Sequence, residues 1–470
     1  MLGRTKFIFG ILLLGDAFIL YASLSIVLFL RYGGEALNQY IWNLHWPPFT
    51  GLFVVWLLVF QSLGLYEIST TKNERRFTER LARAVLFNAI LGIALFYGVP
   101  SLDITPRASL FLLLFISSAL IFIWRHIFNL VLSNSNPERI LFIGLSPEVV
   151  ELAEYLKSNP QFGLFPAAFM SSPDESEFGL SPLYPIEKDV KDIITKHGIQ
   201  IVVISKNIAD NAAFIKIFFE MLPLGVRIIH FPLFYETITG KIPVSLITES
   251  WFLENFADKK YSLYEKGKRV FDIILSLLFL IPIILLLPFI AVAIILSTPR
   301  DILRHRELRA RPGDGLVLFK QRRVGKSGAS FSFMKFRSQV LGAEKMGEKK
   351  ELTEDPRQYP IGKFLRKSYI DELPQIINVL RGEMSFIGPR PERLEYVELL
   401  KQKVPFYEMR HMVAPGLTGW AQINMKNDAS VEDALEKIQY DLYYIKNRSF
   451  SLDLDIFLRT IVVVLSRSGR

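Results

Sequence analysis

Long apolar runs fill the first third of the chain, at about Phe7–Leu30, Phe49–Leu65, Ala84–Tyr97 and Ala108–Leu132. A helix crosses a hydrocarbon core of about 30 Å with about 20 such residues, so the first and fourth runs predict spans directly and the third is short. Residues 32–48 carry no Lys or Arg, whereas residues 68–83 carry Lys72, Arg75, Arg76, Arg80 and Arg83. Arg4 and Lys6 precede the first run and Arg139 follows the fourth. Basic loops stay on the cytoplasmic side, so residues 1–136 read as a four-helix transmembrane domain with both ends in the cytoplasm. The first run is too long for the apolar segment of a cleaved signal peptide and lacks a small-residue cleavage site. Asp16 lies inside it, with either a functional or a helix-packing role.

Over residues 137–260 the pattern changes to short buried-strand runs separated by helical ones. Arg139-Ile-Leu-Phe-Ile-Gly144 precedes a helical stretch at Pro147–Lys157, and Gln200–Ser205 and Val226–Phe231 are further strand candidates. Alternating strands and helices predict a parallel, Rossmann-like α/β domain. The turn after the first strand reads Gly144-Leu-Ser-Pro-Glu-Val and lacks the second and third glycines of a dinucleotide fingerprint. No bound dinucleotide is therefore expected. Tyr264 and Lys268 have the spacing of a dehydrogenase dyad, but they adjoin an apolar segment and are read as coincidence.

A fifth run, residues 270–296, would be about 40 Å long as a helix, more than a bilayer core requires. Lys266, Lys268 and Arg269 precede it, and Arg300, Arg304, Arg306, Arg309 and Arg311 follow. A straight span would place one basic cluster on the wrong face. Pro282 and Pro288 are each able to break the helix. These facts favour a re-entrant hairpin over the alternative, a kinked fifth span.

Composition sharpens this division. Half of the 470 residues are hydrophobic and 21% are charged, which excludes a disordered chain and an ordinary soluble one. The absence of Cys excludes disulfides, thiolate metal sites and Cys nucleophiles. Of the net charge of +9, residues 298–370 supply the whole excess, with 18 Lys and Arg against 8 Asp and Glu. Beside a membrane segment such charge attracts anionic lipid, and no nucleic-acid-binding motif accompanies it.

Specific chemistry appears after residue 318. Phe319–Gly325 and Phe331–Arg337 alternate aromatic and basic residues, predicting a strand pair with one apolar and one cationic face. Asp371 and Glu372 follow Arg366 and Lys367, and Pro374 suits the first turn of a helix, so Asp371 is either an N-cap or a reactive carboxylate. Gly388-Pro-Arg-Pro391 is rigid enough to aim the Arg390 guanidinium at a phosphate, the alternative being a solvated side chain. The turn Pro415-Gly-Leu-Thr-Gly-Trp420 either stacks a nucleobase or is simply buried.

In this order the motifs resemble the bacterial sugar transferases, the polyprenyl-phosphate hexose-1-phosphate (monotopic phosphoglycosyl) transferases. The resemblance rests on Lys268-Arg-Val-Phe-Asp272, Lys335-Phe-Arg337, Asp371-Glu-Leu-Pro-Gln375, Gly388-Pro-Arg-Pro391, Thr418-Gly-Trp-Ala-Gln422 and Tyr440-Asp-Leu-Tyr-Tyr-Ile445. It covers about residue 264 to the end, and the four spans plus α/β domain resemble long members that initiate exopolysaccharide or O-antigen synthesis. It implies a cytoplasmic α/β catalytic domain over 261–470, anchored in the bacterial inner membrane by a re-entrant hairpin. It further implies transfer of a sugar 1-phosphate from a UDP-sugar to undecaprenyl phosphate with release of UMP. Asp371 would be the nucleophile of a covalent phosphosugar–aspartyl intermediate. Glu372 would help hold Mg2+, and Arg390, Lys335, Arg337 and Arg366 would bind phosphate. Pro415, Gly416, Thr418, Gly419 and Trp420 would lie near the uridine. A homodimer is expected from the resemblance alone.

Three departures accompany it: two competing proline positions for the hairpin break, a basic insertion at about Asp301–Asp314, and Ala414 where the family often has Lys or Arg before Pro-Gly. The competing readings are a non-catalytic membrane scaffold, which Asp371, Glu372 and Arg390 argue against, and a membrane-anchored nucleotide-sugar-modifying enzyme, which would want the missing glycine fingerprint.

Overall fold

The computed structural model describes residues 2–34, 39–98, 107–171, 181–186, 189–205, 219, 223, 225–256, 262–297, 315–340, 357–425 and 430–466. The basic insertion at 301–314 lies outside them. The chain forms two compact units, residues 1–239 and 240–470.

The first unit begins with α1 (Leu2–Tyr32), α2 (Gln39–Ser62), α3 (Arg75–Gly98) and α4 (Arg107–Ser133), each long and apolar enough to cross a membrane. The third run is not short after all, because its helix begins in the basic loop at Arg75. Helices α1 and α4 approach closely at Gly15, where a Cβ would stand 2.4 Å from the Trp124 ring. One residue on, Asp16 is fully buried and paired with the equally buried Arg125 of α4. Tyr66 donates to the same carboxylate at 2.9 Å, and Arg125 also donates to the Leu65 carbonyl at 2.7 Å. Asp16, Arg125 and Tyr66 all bond within the protein, which is the helix-packing alternative for Asp16.

The α/β part of this unit is a five-stranded sheet, all parallel: β1 (Glu138–Ile143), β2 (Leu164–Ser171), β3 (Leu183–Pro185), β4 (Ile201–Ile204) and β5 (Arg227–His230), in the order β3-β2-β1-β4-β5. Helix α5 (Pro147–Ser158) follows β1 with Ser146 as its N-cap, α6 (Val190–His197) precedes β4, and α7 (Phe231–Thr239) follows β5. Strands β2 and β3 have no counterpart in the sequence reading. In β2 the strand pattern is masked by Pro166, which sits where the pairing with β1 slips register between Ile140 and Leu141.

The second unit opens with residues that the sequence reading gave to the α/β domain. Ile242, Val244, Ile247, Trp251 and Phe252, the last two on α8 (Glu249–Phe256), share a core with Val324, Val397, Tyr407 and Leu442. Helix α9 (Ser262–Leu296) is a fifth helix long and apolar enough to cross a membrane. It continues through Pro282 and Pro288, so neither proline breaks it; each removes only one backbone donor. Its contacts with this unit run along its length. Arg269 donates to the Val379 and Leu380 carbonyls, Asp272 accepts from the Phe386 N–H, Ile283 joins the core of Phe331, Phe333 and Ile376, and Ile294 is fully buried with Phe336, Tyr359 and Leu365. Its other face exposes Ile281, Ile284, Leu285 and Phe289.

Strands β6 (Leu318–Val324) and β7 (Ser330–Phe336) pair antiparallel as expected. Their faces are not divided into apolar and cationic. Phe331, Phe333 and Lys335 share a face with Arg323, and both cations lie over the Phe333 ring, at 5.3 Å for Lys335 and 5.1 Å for Arg323. The aromatic ring shields and attracts the charge, so the two residue types gain by sharing a side. The unit continues with α10 (Pro360–Lys367), α11 (Gln375–Arg381), β8 (Ser385–Ile387), α12 (Leu394–Lys403), β9 (Gly416–Thr418), α13 (Trp420–Asn424), α14 (Val431–Asn447) and α15 (Phe450–Ser466). Strand β8 pairs parallel with β9.

Candidate active site

Asp371 and Glu372 share one 3-10 turn, Ile370–Glu372, between α10 and α11. Tyr369 enters it in the left-handed region at φ 58°, a strained conformation for a bulky residue. The N-cap position of α11 is Pro374 and carries no side-chain cap, so Asp371 is not its N-cap. Asp371 is buried instead. Glu372 Oε1 accepts from Lys335 Nζ at 2.8 Å and from Arg390 at 2.9 Å, which binds three of the expected site residues together. Burial pushes the Lys335 ammonium below the ordinary lysine range, against the attraction of Glu372.

The loop that presents Arg390 is held at each successive peptide. Gly388 N–H donates to the Thr418 carbonyl at 2.9 Å, and Gly416 N–H to the Pro389 carbonyl at 2.9 Å. The Arg390 carbonyl accepts from Arg410 at 2.9 Å, the Pro391 carbonyl from Arg323 at 2.8 Å, and the Glu392 carbonyl from Val324 N–H at 3.0 Å. Side chains then lock the loop from behind. Glu392 pairs with Lys437 at 2.5 Å, and Arg410, itself buried, pairs with buried Asp441 at 2.8 Å. Burial alone would raise the Glu392 carboxyl, but Lys437, Arg410 and Arg323 hold it at about 2. The Arg323 guanidinium is pulled down to about 10 by burial, with Glu392 opposing.

The turn at 415–420 belongs to the same construction. A Cβ on Gly416 would stand 2.2 Å from Gly388 N, and one on Gly419 2.2 Å from Gly388 O, so the two loops interlock only because these positions lack side chains. The Pro415 carbonyl accepts from Ser385 N–H, and the Thr418 hydroxyl bonds to that of Thr460 at 2.7 Å. Trp420 stacks on Tyr443 at 5.6 Å and donates to the Gly240 carbonyl at 2.9 Å. The indole is thus already stacked on protein, which is the buried-turn alternative. Arg337 is also committed to packing: it is buried, lies over Tyr359 and donates to the Leu316 carbonyl at 2.8 Å. Arg366 is half-buried in the last turn of α10. The Tyr264 hydroxyl and the Lys268 ammonium both donate to Asp453 at 2.7 Å, a structural use of that dyad spacing.

Beside Glu372 and Arg390 opens a cavity of about 540 Å3. Its polar end carries those two residues and Lys437; Phe279 of α9, Leu417, and Phe457, Ile461 and Val464 of α15 form apolar wall. The site therefore joins a phosphate-compatible corner to a greasy channel bordered by the membrane-length helix.

The family model described as Bacterial sugar transferase matches residues 263–467. Over 153 residues the chain is 42% identical to an uncharacterized sugar transferase EpsL of Bacillus subtilis, covering 33% of this chain and 72% of that protein. The chain belongs to the bacterial sugar transferase family. It is similar over 245 residues, at 35% identity, to a UDP-N-acetylgalactosamine-undecaprenyl-phosphate N-acetylgalactosaminephosphotransferase of Aeromonas hydrophila, with 51% of this chain and about half (54%) of that protein aligned. It is similar over 440 residues, at 28% identity and 90% of each chain, to a UDP-glucose:undecaprenyl-phosphate glucose-1-phosphate transferase of Klebsiella pneumoniae. Within this sugar transferase, the residues that motif reading alone passed over are Arg323, Glu392, Arg410, Lys437 and Asp441, the support of the Arg390 loop. Arg323 lies in the Phe319–Gly325 strand pattern and Asp441 in a quoted motif, but the Asp441 partner Arg410 is 31 residues away in the chain.

Proposed function

We propose that the protein transfers a sugar 1-phosphate from a UDP-sugar to undecaprenyl phosphate at the cytoplasmic face of the bacterial inner membrane, the first membrane step of an exopolysaccharide or O-antigen. The observation that carries this reading is the Asp371–Glu372 turn, with Lys335 and Arg390 on Glu372, and with Glu372 and Arg390 lining a cavity that has apolar walls. That combination suits a substrate with a charged phosphate head and an isoprenoid tail. Contacts of α9 with one unit from Arg269 to Ile294, together with its exposed apolar face, support a helix that dips into the membrane without leading away from the catalytic unit.

In the proposed sequence an Asp371 carboxylate oxygen attacks the β-phosphorus of the donor. The bond from that phosphorus to the bridging oxygen breaks and UMP leaves with its electron pair. An oxygen of undecaprenyl phosphate then attacks the same phosphorus, forming the new diphosphate and restoring the carboxylate. Arg390 and Lys335 supply fixed positive charge where a carboxylate must approach an anionic diphosphate. Among the described residues no group of three or more His, Asp or Glu side chains could hold a metal by itself. Two adjacent carboxylates nevertheless suit Mg2+, which commonly takes one or two carboxylates and completes its shell with water and substrate phosphate. Glu372 would hold it, and when bound the ion would neutralise diphosphate charge.

The test is UMP release by the full chain in nanodiscs with undecaprenyl phosphate, Mg2+ and UDP-glucose, UDP-galactose or UDP-N-acetylgalactosamine. Repeated turnover that requires undecaprenyl phosphate is expected with one donor, beside at most one UMP per chain in its absence. Repeated turnover without the acceptor, or no release with any donor, sinks the reading.

A further inference from the structure

A second cavity, of about 710 Å3, lies at the start of α9 and shares no lining residue with the first. Strand β8 separates the two: Phe386 lines the first, Ser385 and Ile387 the second. We propose that this second cavity binds the phosphate of an anionic phospholipid headgroup.

Five cations line it, Lys266, Lys268 and Arg269 from α9, Lys326 from the β6–β7 turn and Arg448 beyond α14, against Glu265 and Asp272. Lys268 is paired with Asp453 at 2.7 Å and Arg448 with Glu265 at 3.2 Å. Arg269 spends two N–H groups on the neutral Val379 and Leu380 carbonyls, and Lys266 and Lys326 enter no ion pair among the described residues. The rear wall is a hydrogen-bonded assembly: Tyr264 and Tyr444 donate to the two oxygens of Asp453, at 2.7 and 2.9 Å. A positive, partly walled cavity is thus present before any ligand arrives.

Its position selects the ligand. From Ile273 onward α9 is apolar apart from the buried Ser276, and Val270, Ile274, Leu277 and Leu278 are exposed. The cavity therefore sits where the helix passes from charged to lipid-compatible residues, the depth at which a headgroup phosphate lies. This rests on the reading of α9 as membrane-inserted. A phosphate bridging Arg269, Lys266 and Lys326 would bind beside the C-terminus of α11, the helix that follows the Asp371–Glu372 turn.

The test places the full chain in phosphatidylcholine nanodiscs with a trace of phosphatidylglycerol or phosphatidylcholine bearing a photoreactive group beside the headgroup, and maps crosslinks by mass spectrometry. The phosphatidylglycerol probe is expected to label peptides containing Tyr264–Asp272 and Lys326 more than the phosphatidylcholine probe. Lys266→Gln with Lys326→Gln, both at exposed positions, is expected to lower that labelling at least about fivefold with an unchanged melting temperature. Equal labelling by both probes, undiminished labelling in the double variant, or displacement by UMP or inorganic phosphate overturns the proposal. A tail-labelled phosphatidylcholine reports separately on α9: no label at Ile281–Phe289 would remove the membrane insertion itself.

Discussion

The carbonyl of Arg390 is held at 2.9 Å by the guanidinium of Arg410, while the guanidinium of Arg390 reaches Glu372 at the same distance. One buried arginine thus fixes the peptide from which another is aimed. Arg410 also donates to the Tyr407 hydroxyl at 2.7 Å, and Arg410→Lys keeps a charge for Asp441 but cannot reach that hydroxyl and the Arg390 carbonyl in the same fork. Turnover is expected to fall about 10- to 100-fold, the scale of a small misplacement of a reacting group, with a smaller change in KM for the donor. Steady-state UMP release checks this, and an equal kcat would remove the positioning role.

For the carboxylates the expectation differs in kind. Asp371→Asn preserves size and removes the nucleophile, so UMP release should fall by about three orders of magnitude or more. Glu372→Gln should retain measurable turnover with weakened Mg2+ dependence. Full activity of Asp371→Asn would eliminate the covalent step.

Acid should unmask the Glu392 pair. Its carboxyl is held at about 2 in the folded chain against 4.5 ordinarily. That depressed value contributes stability above pH 4.5 that is lost as pH falls toward about 2. At pH 7 Glu392→Gln should be less stable by roughly 3 kcal/mol, and the gap should close as pH falls through that window. Denaturation in detergent across the range measures it; a gap independent of pH would contradict the assignment.

In the membrane helices, Asp16→Asn leaves Arg125 buried without its counter-charge and should cost about 3–5 kcal/mol. Replacing both, as Asp16→Leu with Arg125→Met, should recover most of that loss. Thermal unfolding of the two variants beside wild type decides, and a double variant no better than the single one would count against a packing role.

These residues also show which features a linear reading reaches. The four N-terminal spans were legible because a bilayer demands length and apolarity, both of which a sequence displays. Asp371, Glu372, Arg390 and Lys335 stood in short motifs, and the fold brings them to one corner. The support of that corner was not legible, because Arg410 meets Asp441 and Glu392 meets Lys437 only after α14 packs behind the loop. The strand faces were misjudged because alternation alone does not foresee cations lying over the rings beside them. Residues 240–256 carry no boundary signal; Ile242, Val244, Ile247, Trp251 and Phe252 share their core with residues distant in sequence within the second unit.

The interlock of Gly388 with Gly416 and Gly419 makes two distant segments of sequence one inheritable part. With backbone atoms closer to those glycines than any side chain tolerates, neither loop can change its path unless the other follows. Exchange of residues 386–392 with a relative should therefore succeed only when residues 414–420 travel from the same donor.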